Sequence, residues 1–236
     1  MLELRCRARE RLGGQVSEAL GRQLNAGVRA LFSGPSGTGK TLAAKVLASA
    51  LHKDLFRVDL STVVNKYIGE TEKNLNQLFT RAEELDVILL LDEGDALMAQ
   101  RTDVQNSNDR YANFETNYLL QRLESFEGIL LVTTNAQEHI DSAFQRRMDV
   151  VVEFYPPDRL ERLALWQLHL PATHEVTDTM LFELAHRCQL SGGQIRNAVL
   201  HASLLAIQDQ RSVACDHLEA AVLREYRKAG HVCPLR

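Results

Sequence analysis

The chain has 236 residues, of which 45% are hydrophobic, 25% charged and 6% aromatic, and its formal net charge is −4. That length and apolar fraction are enough for one large domain, or a medium domain plus a small one, and they exclude a disordered chain. An acidic balance without a long basic tract disfavours a nucleic-acid backbone as the main partner, and no stretch is apolar for long enough to cross a bilayer. The opening Met1 to Glu10 is charged where a signal peptide needs an apolar region, so a cytoplasmic chain is expected. Cys6, Cys188, Cys215 and Cys233 lie far apart with no C-x-x-C pair, which predicts free thiols and no structural metal.

After a lead-in over residues 1–26, expected to be helical, the apolar run Val28 to Phe32 reads as a strand. Gly34, Pro35, Ser36, Gly37, Thr38, Gly39, Lys40 and Thr41 then match G-x-x-x-x-G-K-[ST], the phosphate-binding P-loop. Its glycines let the backbone turn with its NH groups inward, and the loop feeds the positive end of a helix dipole, predicted over Thr41 to Leu51. Lys40 reaches the outer phosphates as a point charge, and the Thr41 hydroxyl is suited to the shell of a magnesium ion. Further strands are predicted at Leu55 to Leu60, Val87 to Leu91, Ile129 to Val132 and Val150 to Phe154, separated by helical segments. This alternation implies a parallel sheet covered on both faces. The strands Val87 to Leu91 and Ile129 to Val132 are continuously apolar, as central strands must be. The first delivers Asp92 and Glu93 at its carboxyl end, where ligands of open parallel sheets bind, and the second leads to Asn135. Gln100 to Asp109 is polar and reads as a mobile surface loop.

After Tyr155-Pro156-Pro157 only helices are predicted: Asp158 to His169, Asp178 to Arg187, Ser191 to Gln208 and Ala214 to Lys228. The proline pair marks a boundary between a large domain, 1–156, and a helical domain, 157–229. Ser191 and Gln194 have capping-box spacing. Residues 230–236 read as a loose tail.

The P-loop, the Asp92-Glu93 pair after a buried strand, the strand-terminal Asn135 and the helical segment that follows together resemble an AAA+ ATPase module of the AAA clade, over nearly the whole chain. The resemblance implies a P-loop NTPase αβα sandwich with a five-stranded parallel sheet, a small C-terminal helical lid, and a ring, usually a homo-hexamer, with ATP sites between subunits. Asp92 then corresponds to the Walker B aspartate that holds magnesium through water. Glu93 corresponds to the catalytic base, and Asn135 to the residue that orients the attacking water. Arg146 and Arg147 stand in a segment similar to the one that donates arginine fingers to a neighbour's ATP. Arg196, after Gly192-Gly193, matches a second sensor position. Lys66, Tyr67 and Ile68, within Asn65 to Asn74, resemble the katanin-like central pore loop, where an aromatic side chain grips polypeptide. Asn108 to Asn113 with Tyr118 to Arg122 resemble a group of bacterial AAA ATPases, and Asp109 and Arg110 are candidates for a pore or subunit contact.

The resemblance implies magnesium-dependent ATP hydrolysis by a ring that pulls, unfolds or disassembles protein substrates. An adaptor or an additional N-terminal domain would then select the clients. Two other readings share the ATP residues: a nucleic-acid-associated AAA+ protein of clamp-loader or initiator type, and an ATP-driven assembly switch. The aromatic pore segment and the lack of a basic recognition element favour protein substrates.

Overall fold

The computed structural model describes residues 27–59, 71–95, 120–135 and 142–235. These divide into two units, one comprising the described residues up to Gly34 and from Lys40 to Phe154, the other Pro35–Gly39 with the described residues from Tyr155 onward.

The first unit is built on a five-stranded sheet with strands in the order β2-β3-β4-β1-β5. These are β1 (Val28–Ser33), β2 (Leu55–Asp59), β3 (Ile88–Asp92), β4 (Ile129–Thr134) and β5 (Val150–Glu153). Every pairing is parallel. All of the residues of β3 and β4 are buried, which explains why these two strands carry no polar alternation until their last residues. Alternate residues of the strands enter two apolar layers. Leu31, Leu89, Leu91, Leu130 and Val132 meet Leu75 and Phe79 of α2 (Thr71–Glu84) and Leu123, Phe126 and Phe144. Ala30, Ile88, Leu90 and Leu131 face the other way, onto Ala44 and Ala48 of α1 (Lys40–Ala50). The parallel sheet with helices on both faces is the α/β sandwich expected from the sequence. In the first layer the rings of Phe79 and Phe126 meet edge to face at 5.3 Å, and the Arg122 guanidinium lies 5.4 Å from the Phe79 ring centre. Arg122 also pairs with Glu83 at 3.0 Å, so one cation joins α2 to the helical stretch at 120–125.

After the short α3 (Ser142–Gln145), the second unit contains four helices: α4 (Arg159–His169), α5 (Asp178–Arg187), α6 (Gly192–Gln208) and α7 (Cys215–Lys228). Their apolar faces close around Trp166, Leu184, Ile195, Ala198, Leu218 and Val222. Local capping fixes the helix starts. Asp158 accepts from the Glu161 amide at 2.8 Å and Glu161 returns the bond, while Ser191 and Gln194 make the same reciprocal pair at α6.

The carboxyl-terminal residues do not form the loose tail that their sequence suggests. Cys233 is 5% exposed within the helical core, Leu235 packs beside it, and the Pro234 carbonyl accepts from Arg187. Burial of a short non-periodic segment by tertiary contact leaves no periodic signal in the sequence.

Candidate nucleotide site

The polar groups of the sheet unit gather where β1, β3 and β4 end. Lys40 opens α1 and is 8% exposed, and its Nζ donates to the Gly34 carbonyl at 2.6 Å and to Asn135 Oδ1 at 2.9 Å. Burial lowers the Lys40 pKa, opposed by the carboxylates of Asp95 and Asp92. In-register pairing of β3 with β4, with Leu91 opposite Val132, sets the two strand ends side by side. Asp92 follows on β3 at 5% exposure and accepts the Thr133 hydroxyl, and the Thr41 hydroxyl lies 3.4 Å from Asp92 Oδ2.

The loop after β3 is tied to β4 at several points. Thr133 Oγ1 accepts the Glu93 amide at 3.2 Å, and the Thr133 carbonyl accepts the Gly94 amide at 2.8 Å. Asp95 accepts the Thr134 hydroxyl and, at 2.9 Å, the Asn135 amide. Glu93 itself is exposed and has φ +58°, a left-handed conformation that costs a non-glycine residue energy and is found disproportionately at working sites. The carboxylate therefore stands in solvent on a backbone pinned at both sides.

The glycines of the P-loop are required by geometry. Gly34 has φ +146°, and a Cβ there would stand 2.1 Å from the Phe154 carbonyl oxygen. Within the helical unit, Gly37 has φ +79°, and a Cβ would meet Ser191 Oγ at 2.4 Å. The Gly37 carbonyl accepts the Gly193 amide at 2.9 Å.

The two adjacent arginines differ. Arg147 is half-buried and pairs with Glu124 of the same chain, whereas Arg146 is exposed. Arg196 is exposed on the first turn of α6 and donates to Asn197 Oδ1 at 3.2 Å. Lys66, Tyr67, Ile68, Asp109 and Arg110, the 1–26 lead-in and the 100–109 loop lie outside the described residues.

Three contributors to the cluster have no place in the sequence motifs: Asp95, Thr133 and Arg57. Asp95 had a signal in the spacing Asp92-Glu93-Gly94-Asp95, and Thr133 in a threonine pair closing an apolar strand. Arg57 had only the oddity of a cation inside β2; its Nε lies 2.7 Å from Asp92 Oδ2.

A buried carboxylate beside a hydroxyl and a buried lysine, gathered at strand ends, is an arrangement that suits a nucleotide site in an α/β sandwich. The oxygen donors Thr41 and Asp92 suit magnesium, which takes one or two carboxylates and keeps several waters. Residues 30–156 match the family model described as the ATPase family associated with various cellular activities (AAA), and the chain belongs to that family of ATPases. It is 31% identical over 214 residues to 26S proteasome subunit RPT4 of Saccharomyces cerevisiae, covering 86% of this chain and 47% of that protein. It is 32% identical over 203 residues to proteasome-activating nucleotidase 2 of Halobacterium salinarum, covering 82% of this chain and 49% of that one. The chain thus spans about half the length of the curated relatives it matches. Its fold is similar to the crystal structure of the FIGL-1 AAA domain, with a TM-score of 0.66 at 23% identity over 88% of this chain and 78% of that chain. No helix among the described residues is long and apolar enough to cross a membrane.

Proposed function

We propose that the chain is a magnesium-dependent ATPase module that works in a homo-hexameric ring in the cytoplasm and remodels or unfolds protein substrates through a central pore. The observation that carries the ATPase reading is the convergence of Lys40, Thr41, Asp92 and Asn135 at the ends of three strands. The protein-substrate reading draws on relatives whose names tie them to the proteasome and on the pore-like segment around Tyr67. An adaptor or a further domain would supply the choice of client.

In this mechanism, Lys40 holds the outer phosphates by charge while Thr41 and Asp92 would hold the magnesium ion. Magnesium, when bound, neutralises charge on the phosphate oxygens. Glu93, exposed and acceptor-only when ionised, takes the proton from the attacking water, and Asn135 orients that water through its side-chain amide. Lys40 already engages Asn135 Oδ1 at 2.9 Å, so the orienting group and the phosphate-binding charge are held by one contact. Arg146 and Arg147 are the candidates to complete a neighbouring subunit's site. Arg146 is exposed, and Arg147 would have to leave Glu124 to reach a neighbour. Arg196 is a candidate contact to the terminal phosphate from the helical unit.

Glu93→Gln tests the chemistry: turnover should fall by about 10²–10⁴-fold, with ATP affinity retained, because the amide keeps the shape and loses the base. Turnover by this variant at the wild-type rate would exclude Glu93 as the base.

A further inference from the structure

The buried Asp92 carries its own cation. Arg57 Nε lies 2.7 Å from Asp92 Oδ2, yet the Arg57 side chain is 57% exposed and that of Asp92 only 7%. Arg57 stands on β2, an edge strand, opposite Leu90 of β3, so its side chain reaches across from the neighbouring strand to the end of β3. The other Asp92 oxygen, Oδ1, accepts the Thr133 hydroxyl. A buried carboxylate needs such compensation, since burial strips its charge of water. The Lys40 charge is close enough to feel Asp92, but among the ion pairs of the described residues the cation in contact with Asp92 is Arg57.

The contact is made by Nε rather than by the two-pronged fork through which arginine binds carboxylates most firmly, and most of the guanidinium stem lies in solvent. It also occupies the Asp92 oxygen nearer to Thr41, the pair of donors suited to magnesium. We propose that Arg57 is a displaceable counter-ion, which neutralises Asp92 in the metal-free chain and gives way when a divalent cation arrives with the nucleotide. The inference rests on the magnesium-nucleotide reading above and adds to it a competition built into the sheet edge. The metal must replace a cation already present, so the empty site holds a free divalent ion weakly and fills when the phosphates supply further ligands.

Arg57→Gln removes the charge and keeps a polar side chain. Its thermal unfolding is compared with that of the wild type in EDTA, and at fixed ADP with stepped magnesium. In EDTA the variant should melt roughly 2–4 °C lower, because Asp92 has lost the cation in contact with it. The magnesium concentration giving half-maximal stabilisation should fall roughly three- to tenfold, as expected for removal of a half-exposed competitor. At saturating magnesium the two proteins should melt together. An equal deficit with and without metal would overturn the proposal and make the pair a permanent structural one, and an unchanged magnesium requirement would also overturn it. A wild type that gains no stability from ADP and magnesium would overturn the proposed function and the counter-ion role with it. Stabilised wild type with a failed shift in the variant overturns the counter-ion role alone.

Discussion

In the sheet unit the buried polar side chains meet across long stretches of sequence: Thr133 reaches Asp92 over 41 residues, Thr134 reaches Asp95 over 39, and Lys40 reaches Asn135 over 95. In the helical unit the buried side chains of His217 and Glu225 bond locally, while longer-range bonds such as that of Arg162 to the Ala185 carbonyl tie one helix to another. His217 accepts the Ala214 amide three residues back and faces Asp209 eight residues back, and buried Glu225 accepts from Lys228 three residues on. Local bonds start, cap and support helices, and they would form in any context that keeps the helix. Long-range bonds exist only once the sheet is registered, and they place the charged groups together where a ligand can use them. The first pattern serves folding and the second serves chemistry.

The largest effect that separates them is expected at Trp166, which is fully buried among the helices α4 to α7. Trp166→Ala should cost about 3–5 kcal/mol in chemical denaturation, through lost burial and the cavity left behind. A loss of ATP binding without loss of stability would instead place Trp166 in the chemistry and break the division. Cys188 sharpens the same point. Burial, with Cys233 nearby, pushes its thiol up to about 11, and burial, with Cys188 nearby, pushes the Tyr226 phenol up to about 12. In the native protein at pH 8, Cys188 should therefore alkylate about a hundredfold more slowly than an unperturbed thiol, with half-buried Cys215 modified before it by peptide mass mapping. Rapid native modification of Cys188 would show that the helical core opens easily. The smallest effect is expected at Ser191, where Ser191→Ala removes the α6 cap and should cost about 1 kcal/mol. A much larger cost would mean that the serine does more than cap.

The same division explains what could be read from the chain alone. The capping box of Ser191 and Gln194 and the two apolar central strands are short-range patterns, and each stands in the structure where its spacing predicts it. The β4 ladder extends to Thr134, two residues beyond its predicted apolar end, because backbone pairing continues after hydrophobicity stops. Thr133, Asp95 and Arg57 enter the cluster through partners on other strands, a relation that hydropathy does not carry. Cys233 escapes the sequence for the same reason: in a segment without periodicity, Cys233 and Leu235 pack on the helical core and the Pro234 carbonyl accepts from Arg187.

The central claim, that the strand-end cluster around Lys40 is a nucleotide site, is tested most directly by calorimetric titration of ATP and magnesium into the wild type and Lys40→Ala. Lys40 is buried, and its ammonium reaches the Gly34 carbonyl and Asn135, so alanine removes the charge that the account aims at the phosphates, and a thermal melt of the variant checks that the fold survives. The account predicts saturable binding by the wild type and affinity weaker by about a hundredfold in the variant, close to 3 kcal/mol of charge-assisted contact. Equal affinities, or a folded wild type that binds no nucleotide, would contradict it.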